Sequence, residues 1–130
     1  MIETDTAGPL IVCADDDADI RELLMFGLGA HGYRVVFAAD GTEALRLAES
    51  WQPALMILDV SMPGIDGFEL TRRLRAGADT SEIPVVLLTA RVRTTDVEHG
   101  YALGADAYIT KPFHLDELSR EVQRLLARLN

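Results

Sequence analysis

The sequence predicts an α/β fold, an open doubly wound sheet of five parallel strands in a (βα)5 arrangement, and three observations carry that prediction. Five short apolar runs alternate with five amphipathic segments over 130 residues, the pattern of repeated βαβ units. Three of the runs are apolar at nearly every position, as strands covered by helices on both faces must be. Several runs end in residues able to do chemistry, which is where an open α/β sheet with right-handed crossovers binds its ligands.

The first strand falls at 10–14 (LIVCA) and leads into an amphipathic helix at 18–31, with Asp17 and Asp19 as candidate caps. The second strand is 34–38 (RVVFA). The next helix, 41–50, opens behind Asp40, with Glu43 in its first turn. The third strand, 54–58 (ALMIL), is followed by a helix at 66–76 that Asp66 opens in the same way. Trp51, ahead of Gln52-Pro53, is expected to cover a helix end. The fourth strand is 84–88 (PVVLL) with a helix at 93–103, and the fifth is 107–110 (AYIT). In the last helix, 114–129, Leu115, Leu118, Val122, Leu125, Leu126 and Leu129 recur at helical spacing and make one apolar face. Residues 1–8 read as a flexible tail and 9–130 as one domain, without repeat, low-complexity tract or linker.

Composition narrows the function classes. At 48% hydrophobic the chain has enough apolar surface for a core, so disorder is excluded. A net charge of −9 repels nucleic-acid backbones and anionic lipid surfaces. The lone cysteine, Cys13, has no partner for a disulfide or a zinc site and reads as a small buried hydrophobe. The start of the chain lacks the basic and apolar stretches of a signal peptide, and no apolar run approaches a membrane span. A soluble cytoplasmic protein is the expectation.

The chemistry sits at the strand ends. The first run ends in Asp15-Asp16-Asp17, the third in Asp59, the fourth in Thr89 and the fifth in Lys111. The fold brings these distant positions to one pocket. Two like charges about 4 Å apart repel by roughly 4 kcal/mol at an effective dielectric near 20. Lys111 offers one positive charge against Asp15, Asp16 and Asp59, so the cluster must hold protons or bind a cation. A hard, oxygen-ligated ion fits, and few carboxylates with room for water and phosphoryl oxygens suit magnesium better than a calcium cage. The run from Asp15 also imitates an EF-hand loop, but Ile20 stands where the turn glycine belongs and Phe26 where the closing glutamate belongs. Beside a metal, Asp59 can act as a nucleophile towards phosphorus and form an aspartyl phosphate, with Lys111 neutralising charge and the Thr89 hydroxyl donating to a phosphate oxygen.

The segments IVCADDDADIRELL, DGTEAL, LDVSMPGIDGFEL, PVVLLTAR and GADAYITKPF, in this order and at these separations, resemble the receiver domain of bacterial two-component response regulators, the CheY-like family of the flavodoxin-like fold. The resemblance covers residues 10–129 and implies strand order 2-1-3-4-5. It implies that Asp59 is the phosphoacceptor and that Mg2+ is bound by Asp16 directly, by Asp15 partly through water, by Asp59 and by the backbone carbonyl of Ser61. It makes Thr89 the switch hydroxyl, Lys111 the phosphate-binding lysine, Tyr108 the aromatic switch and the Lys111-Pro112 bond cis. Ser61 and Arg91 take the positions that tune how fast the phosphoryl group hydrolyses, with Arg91 reaching over it. The implied partners are a sensor histidine kinase or phosphotransfer protein, and a downstream partner or output domain acting through the 93–129 surface. Some members of the family dimerise on phosphorylation through charged pairs on this surface; Glu117, Arg120, Glu121 and Arg124 leave opposite-sign pairing open here, but Ala107 and Glu121 depart from the usual charged pattern and count against a homodimer of that kind.

Taken singly, these residues have plainer readings. Thr89 alone would be a helix cap, Lys111 a surface lysine and Tyr108 an edge-strand packing residue. His31, His99 and His114 fit no catalytic or metal spacing and read as solvated. Three other functions compete with the switch. A haloacid-dehalogenase-type phosphatase needs a second acid two residues after the nucleophile, where Ser61 stands. A flavodoxin-like cofactor binder needs small donors where three aspartates stand. A receiver-shaped module that is never phosphorylated has no need of the full acid, threonine and lysine set.

Overall fold

A computed structural model describes residues 8–128. The expected tail, apart from Gly8, and Leu129 of the last apolar face lie outside the described residues. The elements run β1 (Leu10–Ala14), α1 (Ala18–Gly29), β2 (Arg34–Ala38), α2 (Gly41–Trp51), β3 (Leu55–Leu58), α3 (Gly67–Ala76), β4 (Val85–Thr89), α4 (Thr94–Ala102), β5 (Ala107–Thr110) and α5 (Leu115–Ala127). All strand pairings are parallel, in the order β2-β1-β3-β4-β5.

Strand alternation sorts the core into two layers, one on each face of the sheet. Ile11, Cys13, Leu55, Ile57, Val86 and Leu88 pack with Leu24 and Leu28 of α1 and Leu118, Val122 and Leu125 of α5. Val12, Ala14, Met56, Leu58, Val85 and Leu87 pack with Ala44, Leu47 and Ala48 of α2 and Leu70 and Leu74 of α3. This explains the near-continuous apolar runs, since neither face of the central strands meets water. Cys13 is fully buried, and burial above all, with the charge of Asp15 adding, pushes its thiol far above the ordinary range. It is packing material and no nucleophile.

Side chains start the first three helices. Asp17 accepts from the amides of Asp19 (2.9 Å) and Ile20 (3.4 Å) and caps α1. Asp19 was also expected to cap; it stands inside the first turn, where a carboxylate still suits the helix dipole. Asp40 accepts from Glu43 N–H at 2.9 Å and caps α2, while the Glu43 carboxylate accepts from the N–H of Ala39, one residue before the cap, at 2.6 Å. Asp66 caps α3 through Glu69 N–H at 2.8 Å. Thr89 caps nothing, because it ends β4 and α4 begins only at Thr94. Trp51 is the last residue of α2 and is 56% exposed, so it does not cover the helix end. The chain turns there on Gln52, at φ +46°, with Pro53 behind it.

One glycine places the site. Gly67 donates to the Val60 carbonyl at 2.9 Å, and a Cβ on it would lie 2.5 Å from the Asp59 carbonyl oxygen. Only glycine lets α3 start this close to the end of β3.

Candidate functional site

Sheet register brings the chemistry together. Ala14 pairs with Leu58, so the next residues, Asp15 and Asp59, emerge side by side where the strand order reverses. Asp59 N–H donates to the Ala14 carbonyl at 2.9 Å and fastens the two ends. On the other side Thr89 pairs with Thr110, and Lys111 N–H donates to the Thr89 carbonyl at 2.8 Å. The Lys111–Pro112 bond is cis, as the resemblance implies.

Asp15, Asp16 and Asp59 each offer one carboxylate oxygen within 4.8 Å of the others. Asp15 and Asp59 are buried, whereas Asp16 is exposed at the rim. The Lys111 ammonium donates to Asp15 Oδ2 at 2.7 Å and to Asp59 Oδ2 at 3.2 Å. The remaining oxygens are also held. Asp15 Oδ1 accepts from Asp17 N–H at 2.9 Å, and Asp59 Oδ1 from Ser61 N–H at 3.1 Å. Among the described residues no buried side-chain nitrogen or oxygen lacks a partner.

Electrostatics show where the cluster is short of positive charge. Burial raises the Asp15 carboxyl above its ordinary value; hydrogen bonds from Lys111 and Asp17 pull it back, and the charge of Asp59 adds to the rise. For Lys111, burial opposes the charged form, but its hydrogen bond and attraction to Asp15, with Asp59 contributing to both, hold the ammonium above its usual range. One cation thus pairs with two of the three acids, Asp15 and Asp59. The donor set is all oxygen, compact and open at the rim, which fits a magnesium-sized hard cation.

Thr89 is buried and its hydroxyl accepts from Arg91 N–H at 3.2 Å. Tyr108 is half-buried, and its hydroxyl donates to the Arg91 carbonyl at 2.9 Å. Burial, with the Asp96 charge adding and Arg91 opposing, raises its phenol above the ordinary value. The Arg91 side chain engages other groups than the acids. Its guanidinium carbon lies 5.8 Å from the centre of the Phe68 ring and Nη1 lies 3.7 Å from Asp96. His31, His99 and His114 are exposed, as read from the sequence; the His99 ring also meets Phe68 edge-on, with centroids 4.7 Å apart.

Two contributors carry no signal in the sequence. Arg21 of α1 donates to the Asp15 carbonyl at 3.2 Å and steadies the acidic turn. Arg75 of α3 donates to the carbonyls of Gly104 (3.0 Å), Ser81 (3.2 Å) and Ile83 (2.7 Å) and to Asp106 (2.9 Å), whose carboxylate also accepts from Val85 N–H. Arg75 therefore ties α3 to the ends of β4 and β5 away from the acidic pocket.

Comparison with known proteins agrees with this geometry. The family model of the response regulator receiver domain matches residues 11–123. The chain is 42% identical over 120 residues to the DNA-binding dual master transcriptional regulator RpaA of Synechocystis, covering 92% of this chain and 50% of that one. The chain thus spans about half the length of the curated relatives it matches. A response regulator structure from Chloroflexus aurantiacus superposes with a TM-score of 0.88 at 37% identity, covering 92% of this chain and 98% of that one. The receiver domain of sensor histidine kinase PA1611 from Pseudomonas aeruginosa, which has a magnesium ion coordinated in its active-site cleft, superposes with a TM-score of 0.86 at 33% identity, covering 93% and 99%.

Proposed function

The chain belongs to the response regulator receiver domain family, and from that membership we propose that it is a phosphoacceptor signalling switch in which Asp59 takes a phosphoryl group from a histidine kinase, a phosphotransfer protein or a small phosphodonor. The observation that carries the reading is Asp59 itself: a buried strand-end carboxylate, clamped by Lys111 and Ser61 N–H, within one 4.8 Å cluster with Asp15 and Asp16.

Asp15, Asp16, Asp59 and the Ser61 carbonyl are the residues that would hold Mg2+. Bound there, the ion supplies positive charge against the oxygens of the transferring group. An Asp59 oxygen attacks phosphorus, the P–N bond of the donor phosphohistidine breaks, and the departing imidazole keeps the electron pair and takes up a proton. Lys111 then moves part of its hydrogen bonding from Asp59 to a phosphoryl oxygen. Thr89 donates its hydroxyl proton to another. Loading replaces one carboxylate charge by a phosphoryl dianion, and the new contacts of Thr89 and Lys111 bias the position of Tyr108 and the 93–129 surface. That surface addresses a downstream partner or output domain. Glu121 and Arg124 already pair within α5 at 2.6 Å, so dimerisation through this face would first exchange that pair for intermolecular ones. Among the described residues no helix is long and apolar enough to cross a membrane, and we place the switch in the cytoplasm.

The test is direct. Incubation with magnesium and a small phosphodonor should add one phosphoryl mass to the wild type and none to Asp59→Asn. An unchanged wild-type mass, or equal gain in the variant, removes the proposal.

A further inference from the structure

Gly100 is the sole buried residue of the nine-residue helix α4. Glycine weakens a helix interior, so its place there asks for a reason. The surroundings supply one. A Cβ on Gly100 would lie 3.0 Å from Leu87 Cδ1 and 3.1 and 3.2 Å from Tyr108 Cδ2 and Cε2. Carbon atoms settle at about 3.5–4.0 Å, so the Tyr108 ring occupies space that any side chain at position 100 would claim.

The seated ring is connected onward. Tyr108 Oη donates to the Arg91 carbonyl at 2.9 Å, and Arg91 N–H donates to Thr89 Oγ1 at 3.2 Å. One residue of the β4–α4 loop is thus held at its carbonyl by β5 and at its amide by the last residue of β4. Arg91 contributes its main chain here, whatever its side chain does.

We propose that Gly100 is a positioning residue whose missing side chain seats the Tyr108 ring, so that the ring holds the Arg91 main chain against which the Thr89 hydroxyl rests. The packing of α4 on β5 is thereby coupled to the Thr89 hydroxyl at the end of β4. For Thr89 to turn towards a phosphoryl oxygen it must give up or strain its bond from Arg91 N–H, and the Tyr108 bond on the same residue feels that movement. The consequence for signalling rests on the function proposed above; the seat itself does not.

Two measurements test the seat. In the first, Gly100→Ala is melted in the wild-type and in the Tyr108→Ala background. With Tyr108 present the variant should melt several degrees lower. With the ring removed, the better helix propensity of alanine should leave the melting temperature unchanged or raise it. Equal lowering in both backgrounds would assign the clash to Leu87 and overturn the proposal. In the second, the Val92 amide resonance is followed, because its peptide carries the Arg91 carbonyl. Gly100→Ala and Tyr108→Phe should shift it in the same direction, and the double variant should add no further shift. A Val92 amide that moves with Tyr108→Phe but not with Gly100→Ala would also overturn it. Gly100→Ala should still gain a phosphoryl mass from magnesium and a small donor. If neither it nor the wild type does, the switch function fails while the seat stands or falls on the first two results.

Discussion

Burial and charge pull Asp15 in opposite directions. It is 2% exposed, and its desolvation outweighs the hydrogen bonds from Lys111 and Asp17, so the folded carboxyl holds its proton more tightly than the unfolded one. A raised carboxyl pKa means that the folded state binds more protons between the unfolded value of 3.8 and the folded one, so stability falls as pH rises through that window. Above the folded value the cost is fully present. Asp15→Asn should therefore raise the melting temperature of the metal-free protein at pH 7, by roughly 3–5 °C per kcal/mol relieved in a domain of this size. The gain should shrink as pH falls and Asp15 becomes neutral in the wild type. A variant that melts lower at pH 7, or whose advantage grows on acidification, contradicts this account. Arg91 poses a different question at the same scale. Its guanidinium rests on Phe68 and near Asp96, contacts worth only about 0.5–1 kcal/mol at an exposed site. A phosphoryl dianion on Asp59 can compete for it. Arg91→Ala should then lose its phosphoryl group faster, on the order of fivefold if ~1 kcal/mol of shielding is removed. Equal decay in the two proteins, followed by mass spectrometry, would leave Arg91 no such role.

The helices differ in how firmly they are held. The helices α1, α2 and α3 start on aspartate caps, and α3 buries Phe68, Leu70, Thr71 and Leu74. In contrast, α4 has Arg93 at its N-cap position, with no side-chain cap bond, and buries only Gly100. Few buried contacts and an uncapped start make local opening easy. Amides of α4 should exchange with deuterium faster than those of α3 by an order of magnitude or more; equal protection would show that α4 is no looser than its neighbours. The same contrast explains what the sequence could disclose. The strands were legible because burial on both faces leaves unbroken apolar runs such as Leu55–Leu58, and three helix starts because Asp17, Asp40 and Asp66 cap within three residues of themselves. The acidic pocket was legible because each member follows a strand. Arg75 was not, since its partners are mostly main-chain carbonyls, with Gly104 and Asp106 lying 29 and 31 residues away. The role of Gly100 was hidden too, because a space shaped by Tyr108 and Leu87 leaves no local pattern.

Across the whole molecule, charge and metal binding meet. A chain of net charge −9 attracts any divalent cation weakly over its surface, so magnesium sensitivity by itself would prove little. A true site differs in two ways. It saturates, and it vanishes with one ligand. Asp16 is the suitable residue to remove, because it is exposed at the rim and its side chain supports none of the buried hydrogen bonds that hold Asp15, Asp59 and Lys111. Magnesium binding only the folded state should raise stability by about 2.7 kcal/mol at a hundredfold excess over its dissociation constant, or on the order of 10 °C for this chain length. In Asp16→Ala the saturable rise should disappear, while the small response to sodium chloride at matched ionic strength stays the same. A full magnesium response in Asp16→Ala would place the ion elsewhere on the acidic surface. A wild type that responds to magnesium no more than to sodium would mean that Lys111 alone balances the cluster, and the case for a metal-assisted Asp59 would go with it.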